Sequence, residues 1–166
     1  MTPVQLQRDL IVEIGQIICD VQTKNSSGQF ISGATGYKQS LPVLLSDDDM
    51  PDQFFPYFIV RLEEGDTGDD DSTWDTSVSI LFGVFDEDSE TDGHLHIMEM
   101  IQRTADRFTA EPLLNKMFRA APKMRWALQD EDTYPYYFGG IELKFMTPKI
   151  GRKEPIYHGE IKEIWD

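Results

Sequence analysis

The stretch FFPYFIVRLEEGDTGDDDSTWDTSVSILFGVF, residues 54–85, reads as two β-strands joined by an acidic loop. Tyr57 to Glu63 alternates. Phe58, Val60 and Leu62 share one face; Tyr57, Ile59, Arg61 and Glu63 share the other. Trp74 to Phe85 alternates for longer. Trp74, Thr76, Val78, Ile80, Phe82 and Val84 lie opposite Asp75, Ser77, Ser79, Leu81, Gly83 and Phe85. A period of two in β-branched and aromatic residues marks half-buried strands. The connecting EEGDTGDDDS has two glycines for turning and no apolar residue. The rest of the chain is expected to cover one face of this hairpin.

Upstream, Thr2-Pro3 reads as an N-cap followed by proline at the first helical position. Leu6, Leu10, Ile14, Ile17 and Val21 then recur at helical spacing, with Ile11 and Ile18 widening the stripe. Gly15 inside that pattern would let the helix approach a strand closely. Lys24 to Ser40 is polar and glycine-rich, a long loop with a short strand around Phe30 and Ile31. Leu41 to Leu45 reads as an edge strand, with Pro42 at its start.

Downstream, a second helix is expected from about Gly93 to Phe108, with Leu95, Met98, Ile101, Ala105 and Phe108 on its apolar face. A shorter apolar segment follows at Leu113–Phe118. A second hairpin places Met124, Trp126 and Leu128 against Ile141, Leu143, Phe145 and Thr147, turning through QDEDTYPYYFGG. The expected fold is therefore α+β: a mostly antiparallel sheet of two hairpins plus an edge strand, covered on one face by two helices. It forms a single domain over residues 1–150, and residues 151–166 make an extended C-terminal tail.

Composition narrows the chemistry. The 166 residues suffice for a core without a disulfide or metal staple. The single cysteine, Cys19, cannot form an internal disulfide, and its neighbours Ile17, Ile18 and Val21 offer no activating base. No basic region precedes an apolar run at the N-terminus, so no secretory leader is expected. No stretch reaches membrane-span length, so no membrane partner is expected either.

The net charge is −15, and eighteen of the thirty acidic residues fall in four runs without an intervening lysine or arginine. Such a surface repels phosphate and argues against a direct grip on nucleic acid. Solvated loops and solubility are the plain reading. The sharper one is a surface past which DNA slides without sticking.

Candidate sites are few. DSETDGHLHIME, residues 88–99, places Asp88, Glu90, Asp92 and Glu99 at positions one, three, five and twelve of an EF-hand-like loop, with Gly93 at six. Glu90 is a methylene longer than the usual ligand, and a strand precedes the loop where an EF-hand requires a helix. A capped acidic strand-to-helix connection is the competing reading. His94 and His96 are two apart, which on a helix points them to different faces. No nucleophile elbow, Cys–His pairing or dinucleotide fingerprint occurs, so neither an enzyme nor a cofactor is expected. TYPYYFGG, residues 133–140, reads either as a rigid turn packed over the sheet edge or as an interface anchor through Tyr134, Tyr136, Tyr137 and Phe138.

Three segments carry a resemblance: PYFIVRLEEG (Pro56–Gly65), ILFGVFDED (Ile80–Asp88) and YPYYFG (Tyr134–Gly139). In combination they resemble the tail terminator, or tail-completion, proteins of tailed phages and prophages, over roughly residues 54–147. The glycine-rich Lys24–Ser40 and the tail after Pro148 depart from that pattern. The resemblance implies a structural virion protein of the tail or neck, assembled in the host cytoplasm. It implies a homo-oligomeric ring, a hexamer, that caps the tail-tube protein and meets the head-connector protein while DNA passes through its acidic lumen. On that reading Glu63, Glu64, Asp66, Asp69, Asp70 and Asp71 form a lumen or docking loop. Tyr134, Tyr136, Tyr137, Phe138 and Trp165 become subunit-interface candidates. A head-closure or neck protein of the same assembly, and an acidic binding adaptor outside any virus, are the alternatives.

Overall fold

The computed structural model describes residues 2–25, 27–42, 51–67, 73–87 and 93–150. Helix α1 (Pro3–Ile17) begins as its sequence dictates. The Thr2 hydroxyl accepts a hydrogen bond from the Gln5 N–H at 3.2 Å, and Pro3 occupies the first turn, where no N–H is needed. Leu6, Leu10 and Ile14 are buried, and so are Ile18 and Val21 after the helix ends. Gly15 has open space around it, so it serves no close approach.

Two short strands, β1 (Gln22–Lys24) and β2 (Phe30–Ser32), pair antiparallel. The Asn25 side-chain oxygen organises their turn by accepting from the backbone N–H groups of Ser27 and Gln29. The strand expected at Phe30–Ile31 is therefore present. Strand β3 (Thr35–Lys38) was not foreseen. It pairs parallel with β4 (Tyr57–Asp66) and forms one edge of the main sheet, so the sheet is mixed rather than purely antiparallel. Leu41 and Pro42 lie outside any strand, and 43–45 fall outside the described residues.

Gly36 and Gln39 explain why this edge escaped an apolar count. A Cβ at Gly36 would sit 2.6 Å from the Phe58 ring. Gln39 stands at positive φ, and its side-chain amide continues the ladder: Oε1 accepts from the Leu62 N–H at 2.6 Å and Nε2 donates to the Leu62 carbonyl at 3.2 Å. Gln7 of α1, buried, donates to Gln39 Oε1 and to the Val60 carbonyl, each at 2.8 Å.

A 3₁₀ turn (Pro51–Phe54) leads into β4, which pairs antiparallel with β5 (Thr73–Phe85), with a register shift between Leu62 and Glu64. Helix α2 (Gly93–Ala110) follows, then β6 (Leu113–Leu114), β7 (Phe118–Ala120), β8 (Arg125–Leu128) and β9 (Tyr136–Pro148). The curled sheet runs β3-β4-β5-β9-β7-β6, with β8 also pairing β9. The α+β class holds: both helices pack on the face bearing Phe58, Val60, Val78, Ile80, Phe82, Ile141, Leu143 and Phe145.

Two expectations shift. First, α2 buries Gly93, Ile97, Met100, Ile101, Thr104 and Phe108, whereas Leu95 is 54% exposed. The true stripe contains two residues that a hydrophobic pattern cannot register. Gly93 gives way to the Tyr137 ring, and Thr104 is buried because its hydroxyl donates to the Met100 carbonyl at 2.9 Å. Second, YYFGG is strand rather than turn. Tyr136 to Gly140 pairs with Phe85 to Leu81, extending β9 to thirteen residues along β5. Gly139 and Gly140 interrupt the apolar alternation there because Ile97 and the β5 backbone occupy the space their side chains would take.

Candidate functional site: an open sheet face

Among the described residues the other face of the sheet carries no helix, and the strand register assigns its residues. Tyr57 and Ile59 on β4 stand opposite Gly83 and Leu81 on β5, which stand opposite Phe138 and Gly140 on β9. This end of the face is apolar. Phe55, Tyr57, Ile59 and Phe85 are buried in a second cluster, with Tyr37, Leu41, Phe54, Leu81, Tyr136 and Phe138 around them. Phe55 stacks near Tyr57 and Tyr136, each at 4.9 Å between ring centroids, and Phe138 at 5.8 Å. Gly83 makes this possible, since a Cβ there would lie 2.5 Å from the Tyr57 ring. Burial raises the Tyr57 phenol above its ordinary value of about 10.

Farther along the same strands the face turns polar. Arg61, Ser79 and Glu142 align across β4, β5 and β9; Glu64, Ser77 and Lys144 form the next row. Arg125 on β8 stands beside Glu142, and Arg119 on β7 beside Met146. A groove of about 370 Å³ runs between the apolar end and β8, lined by Tyr57, Leu81, Phe138, Gly140, Arg125 and Glu142; Trp126 borders it but stands opposite Ile141, on the other face of β8 from Arg125. Trp126 is 55% exposed.

Cations on the two faces are used differently, although Arg61 on the open face donates to the Gln39 carbonyl at 3.2 Å. On the covered side Arg103 of α2 donates to the Ile17 carbonyl at the end of α1 and pairs with Asp20 and Glu99. Its hydrogen bond holds the Asp20 carboxyl below the usual carboxylate range, and Asp20 in turn raises the Arg103 guanidinium. Arg107 pairs with Glu13 and donates to the carbonyls of Glu111 and Leu113. Arg119, Lys123, Arg125 and Lys144, by contrast, are exposed, and their side chains make no hydrogen bond or ion pair among the described residues.

The candidates from sequence scatter over this framework. Glu63, Glu64 and Asp66 are exposed at the end of β4; Asp69, Asp70 and Asp71 lie outside the described residues. Tyr136 and Phe138 join the open-face cluster, Tyr137 packs on the helix side against Gly93, and Tyr134 is 49% exposed with its hydroxyl donating to the Glu87 carbonyl at 2.7 Å. Trp165 and the whole of 151–166 lie outside the described residues.

So do Asp88, Glu90 and Asp92 of the EF-hand-like loop. Its last member, Glu99, is paired with Arg103 at 2.8 Å. The helix already begins at Gly93, position six, so the position-seven carbonyl lies within the helical ladder rather than free for a cation. His96 Nε2 approaches Asp86 at 3.5 Å, and Cys19 is exposed. Among the described residues no three His, Cys, Asp or Glu side chains are placed to hold a metal ion, and no helix is long and apolar enough to cross a membrane.

Sequence reasoning missed Arg119, Arg125 and Lys144 as cations sharing one face. The signal was present: residues 112–129 hold Lys116, Arg119, Lys123 and Arg125 without one acid, in a chain of net charge −15. No protein-family model and no curated protein matches the chain.

Proposed function

We propose that this chain is a structural subunit of a tailed-phage virion. It forms a ring, a hexamer, that caps the tail tube and joins tail to head while DNA passes through an acidic lumen without being gripped. The observation that carries this reading is where the three resembling segments lie. Pro56–Gly65 falls on β4, Ile80–Asp88 includes the end of β5, and Tyr134–Gly139 opens β9. Far apart in sequence, they contribute Tyr57, Phe85, Tyr136 and Phe138 to one aromatic cluster on the open face. Residues shared for folding alone would suffice in the helix-covered core. Phe55, Tyr57, Ile59 and Phe85 are already buried within the chain; the half-buried Leu81, Tyr136 and Phe138 around them are what an assembly would cover further.

Charge supports the same reading, because a net −15 suits a conduit for DNA better than a clamp on it. The role is mechanical, with no catalytic group assigned. The test is deletion of the gene from its phage. The expected result is tail tubes of irregular, excessive length that fail to join heads, restored when the chain is supplied in trans. Infectious particles with tubes of normal length would sink the proposal.

A further inference from the structure

We infer that the groove on the open face is a docking site for an uncharged, extended segment of a partner protein. The segment lays one bulky apolar side chain on the groove floor and turns its flanking peptide groups to the polar walls. This goes beyond the role proposed above and does not depend on it.

The first observation is a hydroxyl left waiting. Tyr57 is only 7% exposed, and its side chain makes no hydrogen bond among the described residues. A phenol this buried ordinarily finds a partner. Its oxygen is nevertheless not sealed, unlike the partnerless hydroxyls of Thr23 and Thr76. The ring lies across Gly83, with the oxygen 2.8 Å from where a Cβ would sit there, and its open side belongs to the groove. Burial penalises the phenolate, so the group stands ready as a neutral O–H donor.

The second is the charge of the walls. Arg125 and Glu142 are direct partners across β8 and β9, and neither side chain is hydrogen-bonded or ion-paired among the described residues. Together they are neutral, so a charged ligand attracted by one is repelled by the other. A peptide group answers both: its carbonyl accepts from the guanidinium and its N–H donates to the carboxylate. Ser79, opposite Glu142 on β5, adds a hydroxyl to the same wall. Between these walls and Tyr57, Leu81 and Phe138 supply the apolar floor.

The third is form. From Phe138 to Glu142 strand β9 rises about 13 Å, the length of about four extended residues. A small-molecule site encloses most of its ligand's surface. A trough on a sheet face covers one side, which suits a segment whose other side is held by its own protein.

The experiment follows the backbone amide signals of Gly83 and Gly140 in nitrogen–proton correlation spectra of the full-length protein. The probe is the neutral tripeptide acetyl-Gly-Phe-Gly-amide. Saturable shifts with a Kd of about 1–10 mM are expected, as one docked side chain implies. The same tripeptide with Asp or with Lys at its centre should bind at least ~10-fold more weakly, for want of the apolar side chain. N-methyl-phenylacetamide, with one ring and one amide, should bind roughly 5-fold more weakly than the Phe tripeptide. Tyr57→Phe and Arg125→Ala should each weaken the tripeptide roughly 5-fold. Exchanging the walls, Arg125→Glu with Glu142→Arg, keeps donor and acceptor and should bind within about twofold of the wild type.

Melts at neutral pH check that the variants fold, and the comparison of neutral with charged tripeptides needs no variant at all. Shifts that never saturate, or that spare Gly83 and Gly140, overturn the site. Equal binding of the charged tripeptides overturns the neutral partner, and equal binding of N-methyl-phenylacetamide overturns the extended segment in favour of a small ligand. Unchanged binding by Tyr57→Phe overturns the role of the waiting hydroxyl.

Discussion

The two faces of the central sheet are built from the same strands and differ in what covers them. On one, Phe58, Val60, Ile80 and Phe82 are sealed under α1 and α2. On the other, Tyr57, Ile59, Leu81 and Phe85 form an aromatic and aliphatic cluster with no helix above it among the described residues. An antiparallel sheet with one solvated face normally alternates apolar and polar residues. Here the alternation is clean at the Val78 end, where Ser77 and Ser79 face outward, and fails at the Phe85 end, where both faces are apolar. That failure marks where the sheet changes from a solvated face to a second buried cluster, rimmed by the half-buried Leu81, Tyr136 and Phe138.

Adjacent residues give the hardest test of this contrast. Phe82 points into the covered core and is 1% exposed; its neighbour Leu81 points into the open groove. Phe82→Ala should cost ~3–5 kcal/mol of unfolding free energy, from lost transfer and a residual cavity. Leu81→Ala should cost only about 1 kcal/mol in the isolated subunit, because its side chain is already partly hydrated. Urea titrations of the two variants check this, and equal losses would erase the distinction between the faces.

Glycine at 83 tests how the open face is assembled. Gly83→Ala drives a methyl into the Tyr57 ring, at a Cβ distance of 2.5 Å, and should destabilise by ~1–3 kcal/mol. Combining it with Tyr57→Leu should recover part of that loss in the same titration. A cost for Gly83→Ala unaffected by Tyr57→Leu would mean that the ring is not what the glycine accommodates.

Cations sharpen the comparison further. Arg107→Ala breaks the tie to Glu13 and frees two carbonyls on the covered side, at an expected ~1–2 kcal/mol. Lys144→Ala, at an open-face cation whose side chain has no partner among the described residues, should stay within ~0.5 kcal/mol. Denaturant midpoints of both variants decide whether only the covered face uses its charges for folding.

The same contrast explains what the sequence disclosed. Val78, Ile80, Phe82 and Leu143, Phe145 announced the covered face, because a strand against a core must alternate. Thr2 and Pro3 announced α1, because capping is local chemistry. Strand β3 was hidden: its parallel partner lies some twenty residues away, and a side-chain amide at Gln39 substitutes for backbone pairing. The stripe of α2 was mis-set by a glycine and a self-satisfied threonine. The open face was the least legible, since Phe55, Phe85 and Tyr136 come from three segments that no periodicity links. The cation row was visible as charge, but only the register shows that Arg119, Arg125 and Lys144 share one face.

The smallest expected effect is a pH dependence confined to one face. Burial raises the Tyr57 phenol in the folded state by penalising the phenolate. A group whose folded pKa lies above its unfolded value binds its proton more tightly when folded. Its contribution to stability is therefore full below the unfolded value, about 10, and is lost as pH rises through the folded one. Tyr57→Phe removes that proton and should flatten the alkaline side of the stability curve while leaving stability near neutrality almost unchanged. Melting temperatures at neutral and alkaline pH measure it. If wild type and Tyr57→Phe lose the same stability with rising pH, Tyr57 is hydrated, and the apolar end of the open face is wetter than its buried ring implies. If self-association restores the loss at high protein concentration, the partner is closing over that ring.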